Sequence, residues 1–217
     1  MIKLEKTDVF GWESAIRGMR NPMNSWNMSD SEFSIENNVR EGRFKQSVEL
    51  GVNDLKLMRC LSNAGDDHAK FLRMINVTVD LTSHHAWWAE FDTYKVGTVR
   101  NSCSKMHKIH VKEFVADDFS TEGIDECGGR TVEVFVCVIN ELERLRKLFN
   151  ETHEKKYWRA IIELLPMGYN LKATVQLNYQ VLKNMYFARK SHKLDEWQEF
   201  CKWVEQLPYF SEIVIQD

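Results

Sequence analysis

The residues with the clearest potential for ligand chemistry lie between positions 95 and 105, in the run KVGTVRNSCSK. This run combines three cations, three hydroxyl groups, one amide and one glycine, and it follows an aromatic segment. Backbone N–H groups, hydroxyls and cations are the groups that together bind a phosphate. On composition alone a solvated surface loop is the favoured interpretation of this run, and a phosphate-binding loop is the functional alternative.

A second cationic cluster, RKSHK, occupies residues 189–193 at the junction of two predicted helices. Because the N-terminal end of a helix attracts anions, a cluster beside the start of the last helix is a second candidate anion site. Cations in the last turn of the preceding helix also stabilise that helix through its dipole. Both interpretations stay open at this point.

Histidine and cysteine spacing gives no comparable case for a metal. Cys103, His107 and His110 come closest to zinc spacing, but no second pair of Cys or His ligands stands at a recognised distance from them. The sequence also lacks GxSxG and both phosphate-loop motifs, GxGxxG and GxxxxGK[ST]. We therefore expect no metal site and no phosphate-loop fold.

Composition and charge limit the classes of protein to which the chain can belong. It has 217 residues, of which 43% are hydrophobic and 28% charged, and its formal net charge is −3. A near-neutral chain has no overall attraction for nucleic acid or for an anionic membrane. No apolar run approaches the roughly 18 residues of a membrane span. We expect a globular protein that binds neither nucleic acid nor membrane.

The cysteines and the first residues indicate the compartment. The five cysteines are an odd number at scattered spacings and include no CxxC motif. The opening segment MIKLEKTDVFGWE carries acids and has no apolar core of the kind found in a signal peptide. We therefore expect reduced thiols and a cytoplasmic location.

The elements that must position the candidate residues follow from hydrophobic periodicity. Alternating β-branched residues predict a strand after residue 71, and a long apolar stripe predicts a helix after residue 130. Ser83 is predicted to cap the aromatic helix, and the polar stretch 20–38 is predicted to be a functional loop because it is long. Strands are predicted at 2–6, 71–81 and 171–178, and helices at 9–19, 52–63, 84–95, 130–150, 154–165, 179–190 and 194–206.

The order of these elements indicates the fold class. Helices and strands do not alternate as βαβ units, and no linker rich in Pro, Gly or Ser divides the sequence. We therefore predict one α+β domain over residues 1–217, with a mostly antiparallel sheet and helices packed on it.

Taken in order, these segments resemble the flavin-dependent thymidylate synthases. That family has a motif of Arg-His-Arg, then a Ser three residues on, then Ser-x-Arg. Here Thr93-Tyr94-Lys95-x₂-Thr98-x₄-Cys103-x-Lys105 occupies the motif with the same spacing. Lys95, Thr98 and Lys105 are conservative replacements, whereas the other three residues depart from the family pattern.

The last third of the chain resembles the family more closely. Leu164-Leu165-Pro166 matches a Leu-Pro landmark, and Asn178-x-Gln180 matches an Asn-x-Arg that opens a helix. Arg189 matches an arginine about three turns further on. The resemblance covers most of residues 12–206 and implies the fold of the family.

The resemblance also implies an activity. In the family, FAD binds at the contacts of a homotetramer and carries hydride from NADPH. Methylene-tetrahydrofolate supplies the carbon that converts dUMP to dTMP, and no protein nucleophile attacks the pyrimidine. A positioned arginine polarises the uracil ring, so the resemblance makes Arg189 the catalytic candidate.

Individual contacts are carried over from the family position by position. Flavin contacts are implied for the residues at the family's flavin positions: Ser25, His68, Tyr94, Lys95, Thr98, Asn178, Gln180 and His192. Contacts with dUMP, including its phosphate, are implied for Glu90, Ser102, Cys103, Ser104, Lys105 and Arg189. Glu90 stands where the family has a glutamine that contacts dUMP.

Two other interpretations remain beside the enzyme. The first is a catalytically altered or inactive protein that binds a nucleotide or flavin on the same fold. The second, from another class, is an oligomeric structural or interaction protein whose pocket is vestigial. Bound flavin in the purified protein distinguishes the enzyme from the structural protein.

Overall fold

The computed structural model describes residues 1–38 and 43–216. Within these residues the chain forms six strands and nine α-helices, so the predicted α+β class with an antiparallel sheet is confirmed. The strands are Lys3–Phe10 (β1), Glu32–Asn38 (β2), Arg43–Glu49 (β3), Asn76–His84 (β4), Val99–Ser102 (β5) and Asn170–Asn178 (β6). The helices are Trp12–Arg20 (α1), Val52–Asn63 (α2), His85–Phe91 (α3), Lys105–Lys108 (α4), Glu122–Cys127 (α5), Gly129–Thr152 (α6), Lys155–Leu164 (α7), Tyr179–Arg189 (α8) and Asp195–Glu205 (α9).

The strands form two sheets, a four-stranded sheet with the order β1-β4-β6-β5 and the antiparallel pair β2-β3. Alternate residues of β6 from Leu171 to Leu177 are buried, whereas the intervening side chains are exposed. This period of two places one face of the strand against a core and the other toward solvent. β1 lies at one edge of the four-stranded sheet and overlaps the strand predicted at residues 2–6, although it continues to Phe10.

Helices with a strong apolar period lie where the sequence predicts them. α2 has the predicted bounds, and α6, α7, α8 and α9 end at most two residues from theirs. Leu142 and Leu145, on the predicted apolar stripe of α6, are buried, whereas Val134 and Val136 in its first half are exposed. The buried residues of α9 form one stripe, for which periodicity is sufficient, whereas the first turn of α8 is buried on several sides.

Two predictions near the N-terminus are wrong. The helix predicted from residue 9 begins at Trp12, because β1 continues to Phe10 and Gly11 then turns the chain with a φ of 96°. The stretch 20–38 is not a plain loop, since it contains two short 3₁₀ turns and then β2.

The cap predicted for the aromatic helix α3 is also wrong. Ser83 is still part of β4, and the residue at the N-cap is His84. Its Nδ1 accepts a hydrogen bond of 3.3 Å from the backbone N–H of Trp87. The imidazole therefore satisfies one of the N–H groups that a helix leaves unpaired at its start.

The chain divides into two compact units, and the single domain over residues 1–217 stays a prediction. The first unit comprises Met1–Lys3, Leu81–Thr93 and Asn101–Ala173. One of its cores joins α6 and α7 to the segment before them, through Ile109, Phe114, Phe119, Leu142, Leu145 and Ile161. Within α3, Trp87, Trp88 and Phe91 are all buried, and Trp88 Nε1 donates to the Leu171 carbonyl at 3.1 Å.

The second unit comprises Leu4–Asp80, Tyr94–Arg100 and Thr174–Asp217. Tyr179, at the start of α8, is fully buried, with Trp12 and Phe210 packed edge-on against it at centroid distances of 5.5 and 5.3 Å. Its hydroxyl donates to the Pro208 carbonyl at 2.6 Å. This packing fixes the start of α8, the helix that ends at Arg189. Among the described residues, no helix combines the length and apolarity needed to cross a membrane.

Candidate functional site

The catalytic candidate Arg189 lies in the last turn of α8, in the second unit, and its side chain is half-buried. Its Nε donates a hydrogen bond of 2.9 Å to the hydroxyl of Tyr94. Its guanidinium carbon also lies 5.6 Å from the centroid of the Tyr94 ring and 5.0 Å from that of Trp197. A guanidinium within about 6 Å of an aromatic centroid is attracted to the ring. We call Arg189, Tyr94 and Trp197 the arginine clamp.

The loop that carries Tyr94 is fixed against the start of the same helix. The Thr98 hydroxyl donates to the Tyr94 carbonyl and closes the loop on itself. Gly97 has a φ of 79°, and a Cβ built on it would lie 3.0 Å from both Asn178 Nδ2 and Val181 Cγ2. The loop therefore needs a glycine here, both for its left-handed backbone and for its close approach to α8.

Two further residues predicted to contact flavin hold the first turn of α8. Asn178 is the N-cap, and its Oδ1 accepts from the Val181 N–H at 3.0 Å. Gln180 is buried, and its Nε2 donates to Asp66 Oδ1 at 3.1 Å and to Asn184 Oδ1 at 3.2 Å. Its Oε1 is buried with no hydrogen-bond partner among the described residues.

His68 and His192 lie on two other segments of the second unit. His68 is exposed and follows closely on Asp66, the residue that holds Gln180. His192 Nδ1 accepts from the Leu194 N–H at 3.1 Å, and its ring lies 6.3 Å from that of Trp197. Trp197 thus lies near both His192 and Arg189, so two residues of the basic cluster meet at one aromatic ring.

Ser25 is positioned by a buried ion pair. Arg20 Nη1 donates to the Ser25 carbonyl at 3.1 Å and lies 3.5 Å from its Oγ. Arg20 Nε lies 2.6 Å from Asp54 Oδ1. Burial alone would raise the pKa of Asp54, but hydrogen bonds from Ser31, Ser29, Arg20 and the Asp30 N–H outweigh it and lower that pKa. Asp54 is therefore a stable anion around which the loop is ordered.

The residues predicted to bind the dUMP phosphate lie in the first unit. Ser102 ends β5, Cys103 and Ser104 are exposed, and Ser104 precedes α4. Lys105, the first residue of α4, places its Nζ 2.8 Å from His85 Nε2 and 3.1 Å from His85 Nδ1. The structure thus pairs the predicted phosphate cation with an imidazole 20 residues earlier in the chain.

A small pocket of about 190 Å³ opens beside Lys105 and His85, with an apolar wall formed by Met106, Ile162, Leu165 and Met167. The His85 ring is stacked near that of Tyr169, with centroids 6.0 Å apart. Glu90 lies on α3, where its carbonyl accepts from the Thr93 hydroxyl at 2.7 Å. Lys95 is exposed in the loop after α3.

Within the described ranges no three His, Cys, Asp or Glu side chains are arranged to hold a metal ion.

The larger pockets lie away from the predicted site residues. Two pockets of about 410 and 450 Å³ are lined by residues of β1, of the β2-β3 pair and of the C-terminal segment. Neither pocket contains a residue that the sequence predicted for a site. Pocket size therefore does not identify the predicted site.

Sequence reasoning missed the residues that hold the predicted ones in place. Trp197 has the signature of a core residue, and His85 is adjacent to another histidine with no recognised ligand spacing. Arg20 and Asp54 are 34 positions apart and belong to no motif. A charged residue on the buried face of a helix was the one available signal for Asp54.

Comparison with solved structures gives matches over nearly the whole chain. Thymidylate synthase X (ThyX) from Helicobacter pylori with FAD and dUMP superposes with a TM-score of 0.68 at 17% identity, covering 99% of this chain and 97% of that one. A second structure of the H. pylori flavin-dependent thymidylate synthase ThyX, complexed with FAD and dUMP, gives a TM-score of 0.65 at 17% identity and covers 97% and 98%. Comparison with protein-family profiles and with curated proteins finds no match. This chain therefore has the fold of ThyX.

Proposed function

We propose that the chain binds a pyrimidine nucleotide together with a flavin and converts dUMP to dTMP, with methylene-tetrahydrofolate and NADPH as cosubstrates. The observation that carries this proposal is the arginine clamp, on a chain with the fold of ThyX. An arginine that only stabilised the C-terminal end of the helix through its dipole would need no further contacts. Arg189 is instead held by two aromatic residues. An ordered guanidinium can polarise a carbonyl of a bound uracil ring.

The donors and acceptors of the second unit fit FAD. Lys95 is an exposed cation in the loop turned by Gly97, which suits a pyrophosphate. Gln180 Oε1 is a buried acceptor without a partner among the described residues, and an N–H donor from a ligand would satisfy it. Ser25, His68, Thr98, Asn178 and His192 complete the proposed contacts. When bound, FAD supplies the carrier that takes hydride from NADPH.

In the first unit we assign Lys105, with Ser102, Cys103 and Ser104, to the phosphate of the nucleotide. Lysine neutralises a phosphate as a point charge, whereas arginine makes a bidentate fork. We assign Glu90 to the nucleotide as well, where a carboxylate in place of an amide offers the ligand hydrogen-bond acceptors and no N–H donor. The proposed assembly is a homotetramer, as in the family that the sequence resembles.

A second candidate function is nucleotide binding without turnover. It is favoured by two positions at which the family contributes polar groups and this chain makes internal hydrogen bonds. Gln180 replaces an arginine and donates to Asp66, and Tyr94 replaces the motif's histidine and accepts from Arg189. Each internal bond reduces what the side chain offers a ligand.

Absorption spectra and calorimetry test the binding steps. Purified protein is titrated with FAD while the flavin spectrum is recorded, and dUMP binding is then measured with and without FAD. The proposal expects both to bind. Binding of neither ligand contradicts both candidate functions and favours the oligomeric structural protein.

Turnover is tested by reoxidation of the reduced flavin with dUMP and methylene-tetrahydrofolate. Arg189→Ala is expected to keep the fold and the flavin but to lose dUMP-dependent reoxidation. Arg144→Ala is the matched control, because Arg144 is an exposed arginine paired only three residues away with Glu141 on α6. Flavin and dUMP binding without reoxidation in the wild type selects the second candidate.

A further inference from the structure

We propose that Tyr94 is a positioning residue for Arg189, and that its hydroxyl and the ring of Trp197 together set the plane of the guanidinium. This inference rests on the proposed function for the identity of the ligand, a pyrimidine nucleotide. The hydrogen bond between Tyr94 and Arg189 does not depend on that function. The proposal assigns Tyr94 to the support of the catalytic candidate, whereas the sequence resemblance implied a flavin contact.

The geometry defines the orientation of a planar group. The 2.9 Å hydrogen bond to the Tyr94 hydroxyl sets the direction of the Nε–H, and the guanidinium carbon also lies 5.0 Å from the centroid of the Trp197 ring. The guanidinium is rigid and carries five N–H donors in one plane, of which this hydrogen bond uses one. Because the group is planar and rigid, holding the Nε–H on Tyr94 and the guanidinium against Trp197 restricts the directions of its other N–H groups.

An arginine at this place needs such support. Arg189 is in the last turn of α8, where the backbone ladder ends, and its side chain is long and only half-buried. A free arginine side chain samples many rotamers, and ordering it on ligand binding weakens the affinity. Contacts that order the side chain beforehand remove this cost from the binding step.

The two aromatic partners are themselves held by separate elements. Trp197 is fully buried in α9, edge-on to Phe200 at 5.5 Å. Tyr94 belongs to the loop that is closed by Thr98 and that contacts the first turn of α8 through Gly97. The loop thus touches α8 at its first turn and at its last residue, and this spacing determines where the Tyr94 hydroxyl lies.

The test uses Tyr94→Phe, which removes only the hydroxyl, with Tyr157→Phe as the matched control on α7. Arg189 accessibility is measured without any ligand, by the rate of phenylglyoxal modification mapped by mass spectrometry. Calorimetry then gives the dUMP affinity, and the flavin spectrum gives the FAD affinity. We expect Tyr94→Phe to speed modification of Arg189 and to weaken dUMP binding on the order of tenfold. The FAD affinity and the melting temperature should stay unchanged.

The outcomes separate this inference from the proposed function. Faster modification of Arg189 in Tyr94→Phe, with no dUMP binding even by the wild type, supports the clamp and contradicts the proposed function. An unchanged modification rate in a folded variant overturns the clamp, as does a loss of FAD affinity without a change at Arg189. Should Tyr94→Phe not fold, the wild-type Nε–H of Arg189 is followed by NMR: slow exchange with solvent supports the clamp, and fast exchange overturns it.

Discussion

Arg20 and Asp54 form a buried ion pair in which Arg20 Nε lies 2.6 Å from Asp54 Oδ1, with the two side chains only 4% and 0% exposed. The second carboxylate oxygen, Asp54 Oδ2, accepts from the hydroxyls of Ser29 and Ser31 and from the N–H groups of Asp30 and Ser31. One carboxylate therefore joins α1, α2 and the segment that follows Ser25. The order of this segment, and with it the position of a proposed flavin contact, depends on a single buried charge.

Replacing Asp54 by asparagine should destabilise the protein strongly. The Asp54→Asn side chain would leave the Arg20 charge buried without its partner and would present an amide N–H to groups that are themselves donors. Breaking a buried pair in this way costs about 3–5 kcal/mol of unfolding free energy. The measurement is urea unfolding of Asp54→Asn beside Glu141→Gln, which removes an exposed pair with Arg144 and should leave the midpoint unchanged. Equal midpoints for all three proteins would contradict a stabilising role for the pair.

The stabilisation from Asp54 should depend on pH in one direction. Because the pKa of this carboxyl in the folded protein is below its ordinary value of 3.8, folding favours the charged form. The stabilisation is then fully present above the pKa of the unfolded carboxyl and is lost as the pH falls through the folded pKa. The difference in unfolding free energy between wild type and Asp54→Asn should hold from about pH 7 to about pH 5 and shrink below about pH 4. A difference that grows as the pH falls would reverse the predicted sign.

The sequence was sufficient wherever a single stripe or alternation decides the structure, as in α2, α6 and β6. It was insufficient for β5, where Arg, Asn and Ser show no apolar alternation, and for β2, where the alternation is limited to Phe33 and Ile35 within a polar stretch. Such strands are stabilised by hydrogen bonds to neighbouring strands, and a local sequence pattern does not show which strands those are. The same reason explains the site: Arg189 and Lys105 were identified, but their partners Tyr94 and His85 come from other segments.

Gly97→Ala should destabilise the loop that carries Tyr94. The new Cβ would meet Asn178 Nδ2 and Val181 Cγ2 at 3.0 Å, and an alanine at a φ of 79° is strained in any case. Together these effects should lower the unfolding free energy by about 1–3 kcal/mol. The matched control is Gly123→Ala in α5, where a Cβ meets nothing within 4 Å and alanine is the better helix former. Thermal unfolding measures both, and a Gly97→Ala protein as stable as Gly123→Ala would show that the loop adapts.

The last prediction concerns Lys105, the cation assigned to the phosphate. Its Nζ is held 2.8 Å from His85 Nε2 at the mouth of a small pocket, so the charge is oriented before a ligand arrives. Lys105→Ala should weaken dUMP binding by roughly tenfold, because a hydrogen bond to a charged group contributes about 1.5–3 kcal/mol. The unfolding free energy should change by no more than about 0.5 kcal/mol, as for most surface positions.

Lys108→Ala, on the exposed side of the same short helix, controls for the loss of one positive charge. Calorimetry at low and high salt separates the two variants: a direct phosphate contact makes the affinity of Lys105→Ala less sensitive to salt than that of the wild type, whereas Lys108→Ala should follow the wild type at both salt concentrations. Equal dUMP affinities for the two folded variants would remove Lys105 from the proposed site.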